Sequence, residues 1–375
     1  LMGIKPRSIV GGFMTAAAVL SMWVSNTATA MMMLPIGLSV VGLSRGDADE
    51  GDPRRGQSNF AVALMLGIAY GCSIGGMATL IGTPTNAFLA GYLQETFGHR
   101  ISFAAWLAVG IPLMLIGLPL THAVLTRLVF PIRLQALPGG RAMIRDELAK
   151  LGPIGRGERM AAIVFASVAL LWVFQPLAAG VVPGLGDPVI AMLCAISMFL
   201  LPVDFKRGVF VLDWETAEKL PWGVLLLFGG GLSVADAVTR TGLAQWIGDA
   251  MSGLAGWPPF LVVLVVTIVV VLLTELNSNT ATVAAFLPVV VALAVGIGQD
   301  PLLLGVPTAL GASAAFMLPV ATPPNAIVYG SSFLTIPQMA RAGIVLNVLF
   351  AVLVAGLTYL LVGPVFGVEL GVVPA

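Results

Sequence analysis

The stretch SNTATAMMMLP runs from Ser25 to Pro35, and SNTATVAAFLP runs from Ser278 to Pro288. Seven of these eleven positions are identical, at a constant offset of 253 residues. A second pair follows, with GTPTN at 82–86 and ATPPN at 321–325. Each copy is a cluster of helix-breaking polar residues, glycine and proline inside very apolar sequence. Paired interruptions of this kind in two halves of a hydrophobic chain are typical of a transporter's binding site.

The composition places the chain in a lipid bilayer. Hydrophobic residues make up 58% of the 375 residues and charged residues only 10%, whereas soluble domains carry about 25% charged residues. Because so few charges cannot provide a solvated surface, we expect an all-α, multi-pass protein of the cytoplasmic membrane. The formal net charge is zero, which gives no indication of a nucleic-acid partner.

Apolar stretches of about 20 residues, the length of a membrane-spanning helix, divide the chain into two repeats and an arm. The first repeat, 1–130, is predicted to comprise a broken hairpin at 8–42, a broken helix at 58–92 and a span at 101–126. A polar arm follows at 131–157. The second repeat, 158–375, is predicted to comprise spans at 158–180, 188–202 and 222–238, a broken hairpin at 258–297, a broken helix at 303–334 and a span at 341–366.

The charges of the loops indicate the orientation of these spans. If the first hairpin enters from the cytoplasm, sixteen of the eighteen Lys and Arg residues fall in cytoplasmic segments or at the adjoining helix end. Only Arg100 and Arg240 then lie outside, which satisfies the positive-inside rule. The second hairpin enters from the outside, so the two repeats are inverted. We expect the basic arm to lie on anionic membrane lipid.

The two repeats differ in length. Three predicted spans precede the second hairpin, whereas only seven residues precede the first. Inverted symmetry therefore leads us to expect equivalent N-terminal scaffold helices upstream of Leu1.

The polar clusters have the chemistry to bind both an anion and a cation. Ser, Asn and Thr cap helix N-termini, where free N–H groups and the helix dipole favour an anion. Backbone carbonyls and side-chain oxygens in unwound segments suit a hard cation such as sodium. Residues 8–42, 58–92, 258–297 and 303–334 contain no Lys, Arg or His. A bound dianion would therefore need cations bound beside it.

These motifs resemble those of the divalent anion/sodium symporter (DASS) family, the sodium-coupled dicarboxylate transporters. The resemblance includes ASAAFMLPVATPPNAIV at 312–328 and PWGVLLLFGGGLSVADA at 221–237. It implies an elevator-type, inverted-repeat transporter with two re-entrant helical hairpins, usually a homodimer. The implied cargo is a di- or tricarboxylate of the succinate, malate, fumarate and citrate class, carried together with sodium ions.

The resemblance also implies site residues. The first sodium site would use Ser21, Ser25, Asn26 and the backbone near Gly75. The second sodium site would use Thr274, Asn277, Asn279, Ala321 and Pro323. The substrate would lie against Asn26, Thr27, Asn279 and Thr280, with Ser73, Thr83, Thr322 and Pro323 completing the pocket. Position 85 departs from the repeat, because Thr85 stands where the second copy has Pro324.

Other interpretations start from the same sequence. Within transporters, the alternatives are a sodium-independent dicarboxylate exchanger and a sodium/sulfate symporter. GLGD at 184–187 matches a pattern of intramembrane aspartyl proteases, but such a protease needs a second membrane aspartate. The other spans offer no Tyr-Asp partner, and Pro188 follows Asp187 in a predicted external loop, so we expect no enzymatic activity. Glu275, next to the second Ser-Asn-Thr motif, is either a proton site or a residue that braces the hairpin through backbone N–H groups, and we favour the brace.

Overall fold

A computed structural model describes residues 5–43, 59–132, 149, 152–220 and 222–368. The helices before residue 132 are α1 Pro6–Ser21, α2 Asn26–Leu43, α3 Asn59–Met77, α4 Pro84–Phe97 and α5 Phe103–Ala123, which continues as a π-helical turn, Val124–Val129. The predicted arm at 131–157 lies mostly outside the described residues, as does most of the predicted cytoplasmic loop at 43–57.

The remainder of the described chain is also mostly helical. Its elements are α6 Arg156–Val173, α7 Gln175–Ala179, α8 Asp187–Leu200, the antiparallel strands β1 Pro202–Asp204 and β2 Val209–Phe210, α9 Trp214–Ala217, α10 Gly223–Arg240, α11 Leu243–Ala250, a 3-10 turn Ser252–Gly256, α12 Pro259–Thr274, α13 Asn279–Gly296, α14 Pro301–Ala312, α15 Pro323–Tyr329 and α16 Ile336–Phe366. The described residues are therefore mostly helical, as predicted, and include one two-stranded ribbon.

Two predicted spans have different ends in the structure, for local reasons. The stretch 158–180 is two helices, α6 and α7, because Pro176 has no N–H to continue the first helix. Helix α16 begins before residue 341, since Thr335 and Gln338 form a capping box that starts it at Ile336.

Five helices in the described part of the chain are long and apolar enough to cross a membrane. They are Asn59–Met77, Phe103–Val129, Gly223–Arg240, Asn279–Gly296 and Ile336–Phe366. This finding rests on length and composition, and it agrees with the predicted multi-pass membrane protein.

The contacts divide the chain into two compact units, which do not coincide with the two predicted repeats. One unit takes its described residues from 1–101, 106–140 and 227–375, and the other from 102–105 and 141–226. The first unit contains both Ser-Asn-Thr motifs and both Thr-Pro motifs. Its two central helices, α3 and α14, are buried along almost their whole length.

The first hairpin, α1 and α2, packs against α3. Glycines four residues apart on α3 allow α1 to approach closely. A Cβ at Gly71 would lie 2.8 Å from the carbonyl oxygen of Met14, and one at Gly75 would overlap the backbone of Ala18. Such small-residue spacing brings helix backbones together. The second hairpin, α12 and α13, packs against α14 in the corresponding way.

The smaller unit is built from α6 and α8, with the strands at one end. Asp187, the acid of the GLGD pattern, accepts a hydrogen bond on Oδ2 from the N–H of Phe103 at 2.9 Å. Its carbonyl accepts from Trp172 Nε1 at 3.1 Å, and Trp172 stacks on Phe103 at 5.1 Å between ring centroids. Asp187 therefore has a structural role at the start of α8.

Candidate functional site

The first hairpin breaks between α1 and α2. Ser21 Oγ donates a hydrogen bond to Asn26 Oδ1 at 2.5 Å, across the four residues that join the helices. Ser25 Oγ accepts from the N–H of Ala28 at 3.3 Å, which caps the start of α2. The turn thus orients Asn26 and leaves an uncharged helix N-terminus beside it, where the helix dipole favours an anion.

The second hairpin repeats this geometry between α12 and α13. Thr274 Oγ1 lies 2.9 Å from Asn279 Oδ1, and Ser278 Oγ accepts from the N–H of Ala281 at 3.2 Å. Both bonds match those of the first hairpin at the offset of 253 residues. Thr274 Oγ1 also lies 2.7 Å from the carbonyl oxygen of Ala312, so this hairpin is attached to the end of α14.

The loop between α3 and α4 is closed by Asn86. Its side-chain nitrogen donates to the carbonyl oxygens of Gly76 at 3.3 Å and Thr79 at 2.8 Å. The side chain is fully buried, so these bonds compensate for the loss of water.

The loop between α14 and α15 is closed by Asn325 in the same way. Its side-chain nitrogen donates to the carbonyl oxygens of Ala315 at 3.2 Å and Leu318 at 3.1 Å. Asn86 and Asn325 were absent from the predicted site residues. The sequence nevertheless indicates that both matter, because each is the last residue of the repeated five-residue motif.

The first hairpin and the first loop meet at Asn26. A Cβ at Gly76 would lie 2.6 Å from Asn26 Oδ1, so a larger residue at position 76 would displace this side chain. Thr79 Oγ1 donates to the carbonyl oxygen of Met22 at 2.5 Å, which ties the loop to the hairpin turn. The carbonyl oxygen of Gly82 would lie 3.1 Å from the same Cβ, so an amide oxygen and a backbone carbonyl oxygen, both of the kind that a hard cation prefers, face Gly76.

Ser73 and Gly75 lie on α3, just before this loop. Both are buried. The hydroxyl of Ser73 makes no hydrogen bond within the described part of the chain. A buried polar group without a partner is costly unless a ligand or water satisfies it. Ser73 is therefore suited to bind a ligand in a pocket. Gly75 has a structural role, because the lack of a Cβ there lets α1 pack against α3.

The second hairpin and the second loop are joined by Glu275. Its carboxylate accepts hydrogen bonds from the N–H groups of residues 316, 317 and 318 at 2.8, 2.9 and 3.0 Å. Asn347 Nδ2, on α16, donates to the same carboxylate at 2.7 Å. Glu275 is 4% exposed. The carboxylate therefore binds backbone N–H groups, as predicted, but these belong to the loop at 316–318, so Glu275 attaches the hairpin to the loop. No sequence pattern indicated the contribution of Asn347.

The other predicted site residues lie at the hairpin turns and loop ends. Thr27 and Thr280 are half-buried in the first turns of α2 and α13. Asn277 is exposed in the second turn. Thr83, Ala321 and Thr322 are buried at the ends of the two loops, and Pro323 is exposed at the first position of α15.

The two copies interlock. Helix α4, which follows the first loop, packs against α13 of the second hairpin, and α15, which follows the second loop, packs against α2 of the first hairpin. Each helix that follows a Thr-Pro motif thus contacts the hairpin helix that begins with the other copy's Ser-Asn-Thr motif. No basic side chain belongs to any of these elements, so their helix ends and oxygen atoms provide the electrostatics of the site.

The family model described as the sodium:sulfate symporter transmembrane region matches residues 1–368. The chain is 41% identical over 373 residues to the sodium-dependent dicarboxylate transporter SdcS of Staphylococcus saprophyticus, covering 98% of this chain and 72% of that protein. It is 40% identical over 374 residues to SdcS of Staphylococcus aureus MRSA252, covering 99% and 72%.

A solved structure has the same fold. It is the crystal structure of the Alcanivorax borkumensis YdaH transporter, with a TM-score of 0.60 and 15% sequence identity, covering 93% of this chain and 78% of that chain. The likeness concerns the fold alone. The family match and the identity to SdcS confirm the resemblance carried by the Ser-Asn-Thr and Thr-Pro motifs: the chain belongs to the sodium:sulfate symporter transmembrane family.

Proposed function

We propose that this chain is a secondary active transporter that couples sodium to the symport of di- or tricarboxylates of the succinate, malate, fumarate and citrate class. The observation that carries the proposal is the twofold occurrence of one hairpin turn without a basic side chain, with Ser21 bonded to Asn26 and Thr274 to Asn279. The names of the SdcS relatives, sodium-dependent dicarboxylate transporters, support both the ion and the substrate class.

Each hairpin turn and its loop would hold one sodium ion. The first ion would bind Ser21, Ser25, Asn26 and the carbonyls near Gly75. The second would bind Thr274, Asn277, Asn279, Ala321 and Pro323. The close approach of Asn26 to Gly76 supports the first site, and the attachment of Thr274 to Ala312 supports the second. Side-chain and carbonyl oxygens without a fixed cation are the ligands of an exchangeable sodium ion.

The substrate carboxylates would bind at the N-termini of α2 and α13. The contacting residues would be Asn26, Thr27, Ser73, Thr83, Asn279, Thr280, Thr322 and Pro323. Because these elements carry no Lys, Arg or His, the negative charge of a dicarboxylate would be offset by helix dipoles and sodium ions. Sodium would therefore bind first and order the hairpin turns, and the anion would follow.

The proposed movement is that of an elevator. The two repeats would be inverted in the membrane, each hairpin would be re-entrant, and the domain holding both hairpins would cross the bilayer as one body. Burial of α3 and α14 supports a rigid moving body. By the same resemblance, the protein would form a homodimer, with its basic arm on membrane lipid.

A sulfate symporter is the second candidate, because the matching family model is described by sulfate. Uptake of radiolabelled succinate into proteoliposomes separates the candidates. A sodium gradient should drive uptake, choline should not, and excess unlabelled dicarboxylate should block it. Uptake that is independent of sodium but stimulated by dicarboxylate inside the proteoliposomes would indicate an exchanger. Transport of sulfate without succinate would overturn the substrate assignment.

A further inference from the structure

A chain of buried hydroxyl groups joins the two loops. Thr83 Oγ1 lies 3.3 Å from Thr85 Oγ1, which lies 2.9 Å from Ser313 Oγ. All three residues are at most 4% exposed. Thr85 lies in the first turn of α4, and Ser313 follows the end of α14, 228 positions away in the chain. This contact therefore connects one repeat directly to the other.

The connection reaches the second hairpin through the neighbour of Ser313. The carbonyl oxygen of Ala312 lies 2.7 Å from Thr274 Oγ1, which lies 2.9 Å from Asn279 Oδ1. The single hydroxyl proton of Thr274 serves only one of these two acceptors at a time. A shift at Ser313 would therefore change which acceptor Thr274 satisfies, and with it the orientation of Asn279.

The second repeat lacks this connection. Pro324 stands at the position of Thr85 and has no hydroxyl. There, Thr322 Oγ1 caps its own helix by accepting from the N–H of Asn325 at 3.3 Å. Thr83 makes no such cap, and its hydroxyl is paired with Thr85. The hydroxyl at the position of the capping Thr322 thus belongs, in the first repeat, to a contact between the repeats.

We propose that Thr85 and Ser313 are positioning residues that couple the first loop to the second hairpin, so that sodium at the second site raises the affinity of the anion site. The inference rests on the proposed function, because Thr83, Thr274 and Asn279 belong to its binding sites. Coupling of this kind needs a physical connection that both sites bias. The hydroxyl chain provides that connection within the buried interior.

The test compares sodium and succinate dependence of uptake in proteoliposomes containing the unmodified protein, Thr85→Val, Ser313→Ala and the double variant. Each single variant should raise the KM for succinate and the sodium concentration for half-maximal uptake about fivefold, the factor expected for one hydrogen bond. The Hill coefficient for sodium should fall, with a smaller change in maximal rate. The double variant should be no worse than either single variant.

Two controls separate coupling from packing. Thr85→Ser keeps the hydroxyl and should retain the parental values. Thr308→Val removes a buried hydroxyl that, among the described residues, bonds to the carbonyl of Leu304 in its own helix at 2.7 Å, and it should leave both affinities unchanged.

Three results would each overturn the proposed coupling. Thr85→Val and Ser313→Ala could keep the sodium dependence of the unmodified protein, or their effects could add in the double variant. Thr308→Val could also raise the KM for succinate and the half-maximal sodium concentration as much as they do. If Thr85→Val reaches the membrane poorly, Ser313→Ala alone decides, with parental sodium dependence in that variant overturning the coupling. Absence of sodium-driven uptake in the unmodified protein would instead refute the proposed function.

Discussion

At the residue scale, the two repeats attach their loops to their hairpins with different groups. Met22 and Glu275 occupy equivalent positions, 253 residues apart. Met22 offers its carbonyl oxygen to Thr79, whereas Glu275 offers a carboxylate to three N–H groups. Charge-assisted bonds are about twice as strong as neutral ones. The second loop is therefore attached to its hairpin more strongly than the first loop is. The attachment is at residues 316–318, a few positions before the predicted sodium ligand Ala321.

Replacing the carboxylate of Glu275 should loosen this loop. We expect Glu275→Gln to lower the stability by about 2 kcal/mol, because one charged acceptor is lost and an amide NH2 faces N–H groups. The melting temperature in detergent should fall, and the sodium concentration for half-maximal uptake should rise. Asp236→Asn is the matched control, since Asp236 pairs with Arg240 at 3.3 Å on an exposed surface. Equal melting temperatures for Glu275→Gln and Asp236→Asn would contradict the brace.

The asparagines of the two hairpin turns should be needed for transport. Asn26→Ala and Asn279→Ala each remove an amide oxygen that accepts from a buried hydroxyl. We expect each to reduce sodium-driven succinate uptake at least about tenfold, which corresponds to about 1.4 kcal/mol. Asn59→Ala is the control, because Asn59 is exposed and bonds only to the carbonyl of Pro131 among the bonds described for it. Unchanged sodium dependence in both test variants would refute the site.

At the element scale, the positions of the breaks follow from local chemistry. Pro84 and Pro323 stand at the first helical position after each loop, where proline is favoured and cannot extend a preceding helix. The close packing of α1 against α3 depends instead on the absence of side chains at the contact. Glycines at 67, 71 and 75 on α3 let α1 lie against its backbone.

The contact between α1 and α3 can be tested at Gly71. An added Cβ would lie 2.8 Å from the carbonyl oxygen of Met14, so Gly71→Ala should separate the helices and cost about 2 kcal/mol. Gly230→Ala on α10 is the control, because nothing lies within 4 Å of a Cβ there. It should be neutral or stabilising by up to about 1 kcal/mol. Thermal unfolding in detergent measures both, and a stable Gly71→Ala would show that α1 and α3 do not touch there.

At the scale of the whole molecule, charge predicts the orientation in the membrane. Arg100 should face the outside and Lys206 the cytoplasm. Both side chains are exposed. With Cys72 and Cys194 replaced by alanine, Arg100→Cys should react with an impermeant maleimide added outside intact cells. Lys206→Cys should react only after permeabilisation. The reverse labelling pattern would invert the proposed topology.

The sequence by itself determined the membrane location, the family and the four breaks in the helices. These follow from apolar length, from motif repetition and from proline and asparagine chemistry, which act within a few residues. It also predicted that Glu275 would bind backbone N–H groups, but not which ones. Tertiary structure decided the partners: the loop at 316–318, Asn347 on a later helix, and the contact of Thr85 with Ser313. These contacts join residues far apart in the chain, and only the packing of helices around α3 and α14 brings them within bonding distance.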